Sequence, residues 1–96
     1  MEKIKVFYLK KCPYCLEAFN LIDKLKQEEQ YQDIQIDFID EQEHPEIAEQ
    51  MDYYYVPTFY FGDNKIHEGA TTEADIVRVF DLYLIYDFIF NKDYKE

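Results

Sequence analysis

Cys12-Pro13-Tyr14-Cys15 holds both cysteines of the chain. On a helix, positions three apart are neighbours. They are close enough to close a small disulfide, whose Cα atoms must lie roughly 4.4–6.8 Å apart. A pair of this kind exchanges thiol for disulfide with another sulfur compound. Metal or cluster binding is the main competitor, but a structural zinc site takes about four Cys or His ligands. The chain adds only His44 and His67, both distant in sequence. Inert core cysteines are the third reading. The spacing and the scarcity of other ligands favour redox chemistry, with no metal site.

With Pro13 as first helical residue, Cys12 stands at the N-cap. Proline there sacrifices no hydrogen bond, because that first N–H has no intrahelical acceptor. The Cys12 sulfur is then expected to accept from the free N–H of Tyr14 or Cys15. The helix N-terminus contributes about half a positive charge, and Lys10 and Lys11 adjoin it in sequence. All three favour thiolate over thiol at Cys12. Cys15, one turn inside, is expected to be more buried and less acidic. Those differences make Cys12 the nucleophile and Cys15 the resolving thiol.

Pro57 is the second element. It stands between Tyr53-Tyr54-Tyr55 and an apolar strand, where proline needs a special reason. A cis Val56–Pro57 bond would present the Val56 backbone to an incoming peptide, as an exposed strand edge does. Tyr14 is expected to line the substrate groove; Tyr53, Tyr54 and Tyr55 either wall it or serve the core or surface. His44 reads as a helix-cap neighbour, His67 as a hairpin residue, and Asp40-Glu41-Gln42-Glu43 as a solvated loop.

The elements that must position these residues are legible from periodicity. Lys3 to Leu9 alternates and then turns continuously apolar, which suits a strand entering a buried sheet. From Pro13 to about Glu29, Cys15, Ala18, Phe19, Ile22 and Leu25 fall at helical spacing, opposite Glu17, Asn20, Lys24 and Gln27. Ile34, Ile36 and Phe38 alternate with polar residues as a second strand. His44-Pro45 opens a short helix through Met51. Thr58 to Phe61, a turn at Gly62-Asp63-Asn64 and Lys65 to Glu68 read as a hairpin. Gly69 breaks the strand, and Thr72 with Asp75 resembles an N-cap for a last helix. This βαβ then ββα pattern restricts the chain to a small set of mixed α/β folds but leaves the sheet order open. In Val79 to Phe90 only Asp81 and Asp87 are charged. A transmembrane span needs about 20 apolar residues, so one face is expected on the sheet. The other, with Leu82, Ile85, Tyr86 and Ile89, covers a sheet edge or a second subunit.

Ninety-six residues make a single domain, 1–96, large enough for one core. The opening Met1-Glu2-Lys3-Ile4-Lys5 has no basic-then-apolar leader, so the expected setting is cytoplasmic. A dithiol there is catalytic rather than structural. Ten basic against 21 acidic residues give a net charge of −11, which repels phosphate backbones and argues against nucleic acid.

Cys-Pro-Tyr-Cys after a first strand, Tyr55-Val56-Pro57-Thr58-Phe59 before a hairpin, then Gly69 and a final helix resemble the glutaredoxins of the thioredoxin-like superfamily, over essentially the whole chain. The resemblance implies a thioredoxin-like α/β fold, a four-stranded mixed sheet flanked by three helices. It also implies a cis bond at Pro57, Cys12 as nucleophile, and glutathione as co-substrate with no tightly bound cofactor. The implied site comprises Cys12 and Cys15 with Lys10, Lys11, Pro13, Tyr14, Tyr55, Val56, Pro57, Thr71 and Thr72. Val56 would meet the substrate through its backbone, and Thr71 and Thr72 would hydrogen-bond a carboxylate. The chain departs from the family in three places. Leu9 stands where a lysine is usual, Tyr55 replaces a threonine before Val-Pro, and Gly69-Ala70-Thr71-Thr72-Glu73 replaces Gly-Gly-x-x-Asp. The expected activity is reduction of protein or glutathione mixed disulfides. Its alternatives are a thioredoxin-type reductant fed by a flavoprotein reductase, and an iron–sulfur cluster held between two subunits, with the C-terminal helix as dimer face.

Overall fold

Strands β1 (Ile4–Tyr8) and β3 (Thr58–Phe61) are the least polar of the four strands, and they form the centre of the sheet. All four residues of β3 and Ile4, Val6 and Phe7 of β1 are buried. Continuous apolar sequence is what a strand covered on both faces requires. The computed structural model describes residues 3–91; Met1 and Glu2, and the side chain of Phe90 at the end of the apolar run, lie outside the described residues.

The outer strands are β2 (Ile36–Asp40) and β4 (Asn64–Glu68), giving the order β2-β1-β3-β4. β1 pairs with β2 in parallel from Ile4↔Ile36 to Tyr8↔Asp40. It pairs with β3 antiparallel, from Ile4↔Phe61 to Phe7↔Thr58. β3 and β4 form the expected hairpin, with an irregularity between Phe59 and Tyr60.

Three helices, α1 (Pro13–Leu25), α2 (Pro45–Ala48) and α3 (Glu73–Asn91), complete the mixed α/β arrangement. On one face of the sheet, Ile4, Val6, Phe59 and Phe61 pack with Ala18, Ile22 and Leu25 of α1 and Ile76, Val79, Phe80 and Tyr83 of α3. On the other, Phe7, Ile39 and Tyr60 meet Ala48, Met51 and Tyr53. Odd and even positions of β1 thus serve opposite layers, as strand alternation demands.

Two helices are shorter than their periodicity suggests. α1 ends at Leu25, its last buried residue. The next turn tightens through Gln27 N–H to Lys24 O and Glu28 N–H to Leu25 O, at 3.3 and 3.0 Å. The Lys26 ammonium donates to Ile34 O at 2.6 Å, bringing the chain round toward β2. α2 likewise stops at Ala48. α3 starts as its sequence predicts, by a reciprocal cap. Thr72 N–H donates to Asp75 Oδ2 at 2.9 Å, and Asp75 N–H to Thr72 Oγ1 at 3.2 Å. Further along, the face expected to cover a sheet edge or a second subunit is divided. Tyr86 packs on Phe61 with ring centroids 5.0 Å apart, whereas Ile85, Phe88 and Ile89 stay exposed. No helix among the described residues is long and apolar enough to cross a membrane.

Phe80 is fully buried and meets the Tyr31 ring at 5.3 Å. Phe80→Ala is predicted to cost about 3–5 kcal/mol in denaturant unfolding. Phe88→Ser, on the exposed face, should stay within about 0.5 kcal/mol of the parent. Comparable losses at both positions would contradict this assignment of core and surface.

Candidate redox site

The end of β1 delivers the first half of the site. Beyond Tyr8 the chain turns tightly, with Cys12 N–H donating to Leu9 O at 3.2 Å, and α1 begins at Pro13. Cys12 is the extended N-cap residue, with φ −78° and ψ 119°. Its carbonyl accepts from the N–H groups of Cys15 and Leu16, both at 3.1 Å. The expected sulfur cap is not formed, since Cys15 N–H is already taken by the Cys12 carbonyl. The Cys12 thiol instead points across to the Val56 carbonyl oxygen, 4.0 Å away.

The loop before β3 supplies the second half. The Val56–Pro57 peptide is cis, and Pro57 is buried where the β1–β3 ladder ends. Proline carries no N–H, so it suits a position beyond the last pair of a central strand. Gly69 N–H donates to Pro57 O at 2.8 Å, with Gly69 at φ +93°. A side chain there would have room but would be strained by the backbone angle. The Thr58 hydroxyl donates to Tyr55 O. The Glu68 carboxylate accepts from Lys65 Nζ at 2.7 Å and from the N–H groups of Tyr54 and Tyr55 at 2.5 and 2.9 Å. Those three donors, Lys65 foremost, hold the Glu68 carboxyl well below its ordinary range, at about 2.

The two cysteines differ in depth. Both are free thiols; Cys12 is half-buried and Cys15 has 0% exposure. Burial is the largest of the causes that push the Cys15 thiol up to about 12. A hydrogen bond and charge from Cys12 add to it, as does the Glu41 charge, against a lowering backbone hydrogen bond at Leu9.

A cavity of about 490 Å³ opens beside Cys12, lined by Leu9, Lys10, Lys11 and Gln42. Lys10 lies 3.9 Å from Asp40 and 3.6 Å from Glu43, so its charge is shared. Lys11 forms no ion pair among the described residues. The 40–43 segment is not simply solvated: Asp40 ends β2 with 3% exposure and accepts from Gln42 N–H at 2.9 Å. Glu41 accepts from the Tyr53 hydroxyl at 2.7 Å. Asp40, Glu41 and Gln42 are the site neighbours that sequence reading missed. A polar run in one segment carries no sign of strand pairing with another.

The remaining expected residues fall into two groups. Tyr14 is 56% exposed and Pro13 is exposed; neither lines the cavity beside Cys12. The Tyr55 ring is exposed, while Tyr53 and Tyr54 line a different cavity of about 400 Å³ with Glu41, Glu49 and Met51. Thr72 is taken up by the α3 cap. Thr71 is buried, and its hydroxyl finds no hydrogen-bond partner among the described residues. His44 stands at the N-cap position of α2 without a side-chain capping bond, and His67 meets the Ala70 carbonyl at 3.0 Å. Among the described residues no three His, Cys, Asp or Glu side chains converge as metal ligands.

No family model and no curated protein matches the chain. A solved structure described as that of a malarial protein matches with a TM-score of 0.65 and 16% identity. The match covers 84% of this chain and 94% of that one. It shows the fold, which is thioredoxin-like: a four-stranded mixed sheet with three helices.

Two outcomes follow from the geometry. Brief treatment of the reduced, folded protein with iodoacetamide at neutral pH should add one adduct, at Cys12, because Cys15 is buried and protonated. Two adducts at equal rates would refute the difference in depth. The Glu68 carboxyl ionises lower in the folded state than at its ordinary 4.5, so its support of the 54–55 loop is present above about 4.5 and fades as pH falls toward about 2. Glu68→Gln should therefore speed amide exchange at Tyr54 and Tyr55 at neutral pH, and the difference from the parent should shrink in acid. A difference that persists unchanged at pH 2 would contradict the clamp.

Proposed function

We propose that the protein is a dithiol thiol–disulfide oxidoreductase, reducing protein or glutathione mixed disulfides. The observation that carries this reading is the pair of free thiols one helical turn apart. One is accessible and faces the Val56 carbonyl, and the other is buried directly behind it. The Cys12 thiolate attacks one sulfur of the substrate disulfide. A bond forms between that sulfur and Cys12 Sγ, the substrate S–S bond breaks, and the departing thiolate takes a proton. Cys15 then loses its proton and attacks Cys12 Sγ, releasing the second substrate sulfur as a thiol. The protein is left with a Cys12–Cys15 disulfide. Two molecules of glutathione return it to the dithiol and become one glutathione disulfide.

Burial is the main reason the Cys15 thiol keeps its proton, with smaller contributions from the Cys12 hydrogen bond and charge. Cys15 is therefore the thiol held in reserve behind Cys12. The Val56 backbone, beside the cis bond and next to Cys12, is the surface for the substrate main chain. Lys11 is the cation available to an anionic tripeptide, with Thr71 as a neutral acceptor or donor. A reducing, cytoplasmic setting suits a catalytic dithiol.

Turnover of a small mixed disulfide with glutathione and glutathione reductase tests the reading. Cys12→Ser is expected to lose all activity and Cys15→Ser to keep monothiol turnover. Lys11→Glu should raise KM for glutathione by about fivefold, as for loss of an exposed charge contact, and Lys10→Glu by less because Lys10 already has two acid neighbours. An inactive Cys15→Ser beside an active Cys12→Ser would reverse the roles. Brisk turnover with a thioredoxin reductase and none with glutathione would assign the electrons to a flavoprotein instead.

A further inference from the structure

Where α1 overlooks β1 and β2, three aromatic rings meet that the redox site does not use. Strand alternation places Tyr8 on the same sheet face as Ile4 and Val6, which pack beneath α1. Parallel pairing of Val6 with Phe38 puts Phe38 on that face in the outermost strand. The Phe19 ring lies 5.1 Å from Tyr8 at 77° and 5.3 Å from Phe38 at 88°. With Asp23, one helical turn beyond Phe19, the three rings line an open hollow of about 210 Å³.

Its chemistry is specific. Aromatic faces are electron-rich and attract cations. Asp23 forms no ion pair or hydrogen bond among the described residues, and the neighbouring Lys24 is drawn away to Glu73 at 2.5 Å. A carboxylate without a counter-charge thus stands at an otherwise apolar, ring-lined hollow, on a chain of net charge −11. A strongly hydrated cation, such as a metal ion or primary ammonium, would have to shed water against rings that return few hydrogen bonds. A methylated ammonium keeps its charge, has an apolar surface and holds water weakly. It matches both the rings and the acid. Phe38 is 45% exposed on an edge strand, where a charged residue is the usual protection, so its ring stands open to such a ligand.

We propose that Tyr8, Phe19, Phe38 and Asp23 form a binding site for a methylated ammonium group. The group is carried by a small metabolite such as choline or by a trimethylated lysine. The site is separate from Cys12 in its lining residues and does not depend on the redox reading.

Amide shifts of the whole reduced protein, titrated with tetramethylammonium chloride, test it. Saturable shifts are expected at Tyr8, Phe19, Asp23 and Phe38, with affinity about fivefold above that for tert-butanol, a neutral compound of similar shape. Phe38→Ala, at a largely exposed ring, should abolish them, and Asp23→Asn, at an exposed acid that folding does not need, should weaken them severalfold. Equal affinity for tert-butanol, the same shifts with sodium chloride, or binding indifferent to Asp23→Asn would overturn the proposal. Choline and an Nε-trimethyllysine peptide, titrated in parallel, then distinguish the sources: tighter binding of one assigns the site to that carrier, and failure of both to bind overturns it.

Discussion

The antiparallel pairing of β1 with β3 is the constraint on which the candidate site rests. Its last pair, Phe7↔Thr58, sets the end of β1 beside the start of β3. The chain leaving β1 reaches Cys12 within one turn, and the chain entering β3 passes through Val56 and Pro57. Segments 44 residues apart therefore meet with the Cys12 sulfur 4.0 Å from the Val56 carbonyl. A register slip of one residue would turn Phe7 toward the wrong layer and separate the two halves. The core enforces the register, because Phe7 and Phe59 have no exposed surface at all.

Depth, set by the same packing, distinguishes two chemically equivalent thiols. Cys12 sits at the helix mouth, where its carbonyl is committed to Cys15 and Leu16 and its sulfur is left to face the loop. Cys15 points into the protein, and burial more than any charge keeps its proton on. The position of a residue within the first turn of α1 thus decides which sulfur solvent can reach.

The loop opposite the cysteines is held from below. Glu68 at the end of β4 gathers the Tyr54 and Tyr55 amides, and Gly69 closes onto the Pro57 carbonyl. The Glu68 contacts come from its side-chain carboxylate and the Gly69 contact from its backbone N–H, just beyond the end of β4. The hairpin therefore serves both as the edge of the sheet and as the support of the segment that faces Cys12.

Local sequence was enough for most features that depend on near neighbours, though not for the ends of α1 and α2 or the partner of the Cys12 sulfur. Alternation and helical spacing mark the seven elements within a few residues. Thr72 and Asp75 announce their reciprocal cap, and Cys12 and Cys15 their unequal depth, whereas the cis peptide at Pro57 is expected from the family resemblance. The cap and the depths are properties of positions two to four apart, where the chain itself sets the geometry. The tertiary structure alone decided what lies across the sheet. The order β2-β1-β3-β4, the burial of Asp40 beside Tyr8, the meeting of Glu68 with Tyr54 and Tyr55, and the seat of Tyr86 on Phe61 all depend on register between distant strands. The Cys12 sulfur shows the same division most clearly. Its place at the N-cap follows from Pro13, but its partner is the Val56 carbonyl rather than a neighbouring amide, because the packing of β1 on β3 brings that oxygen within reach.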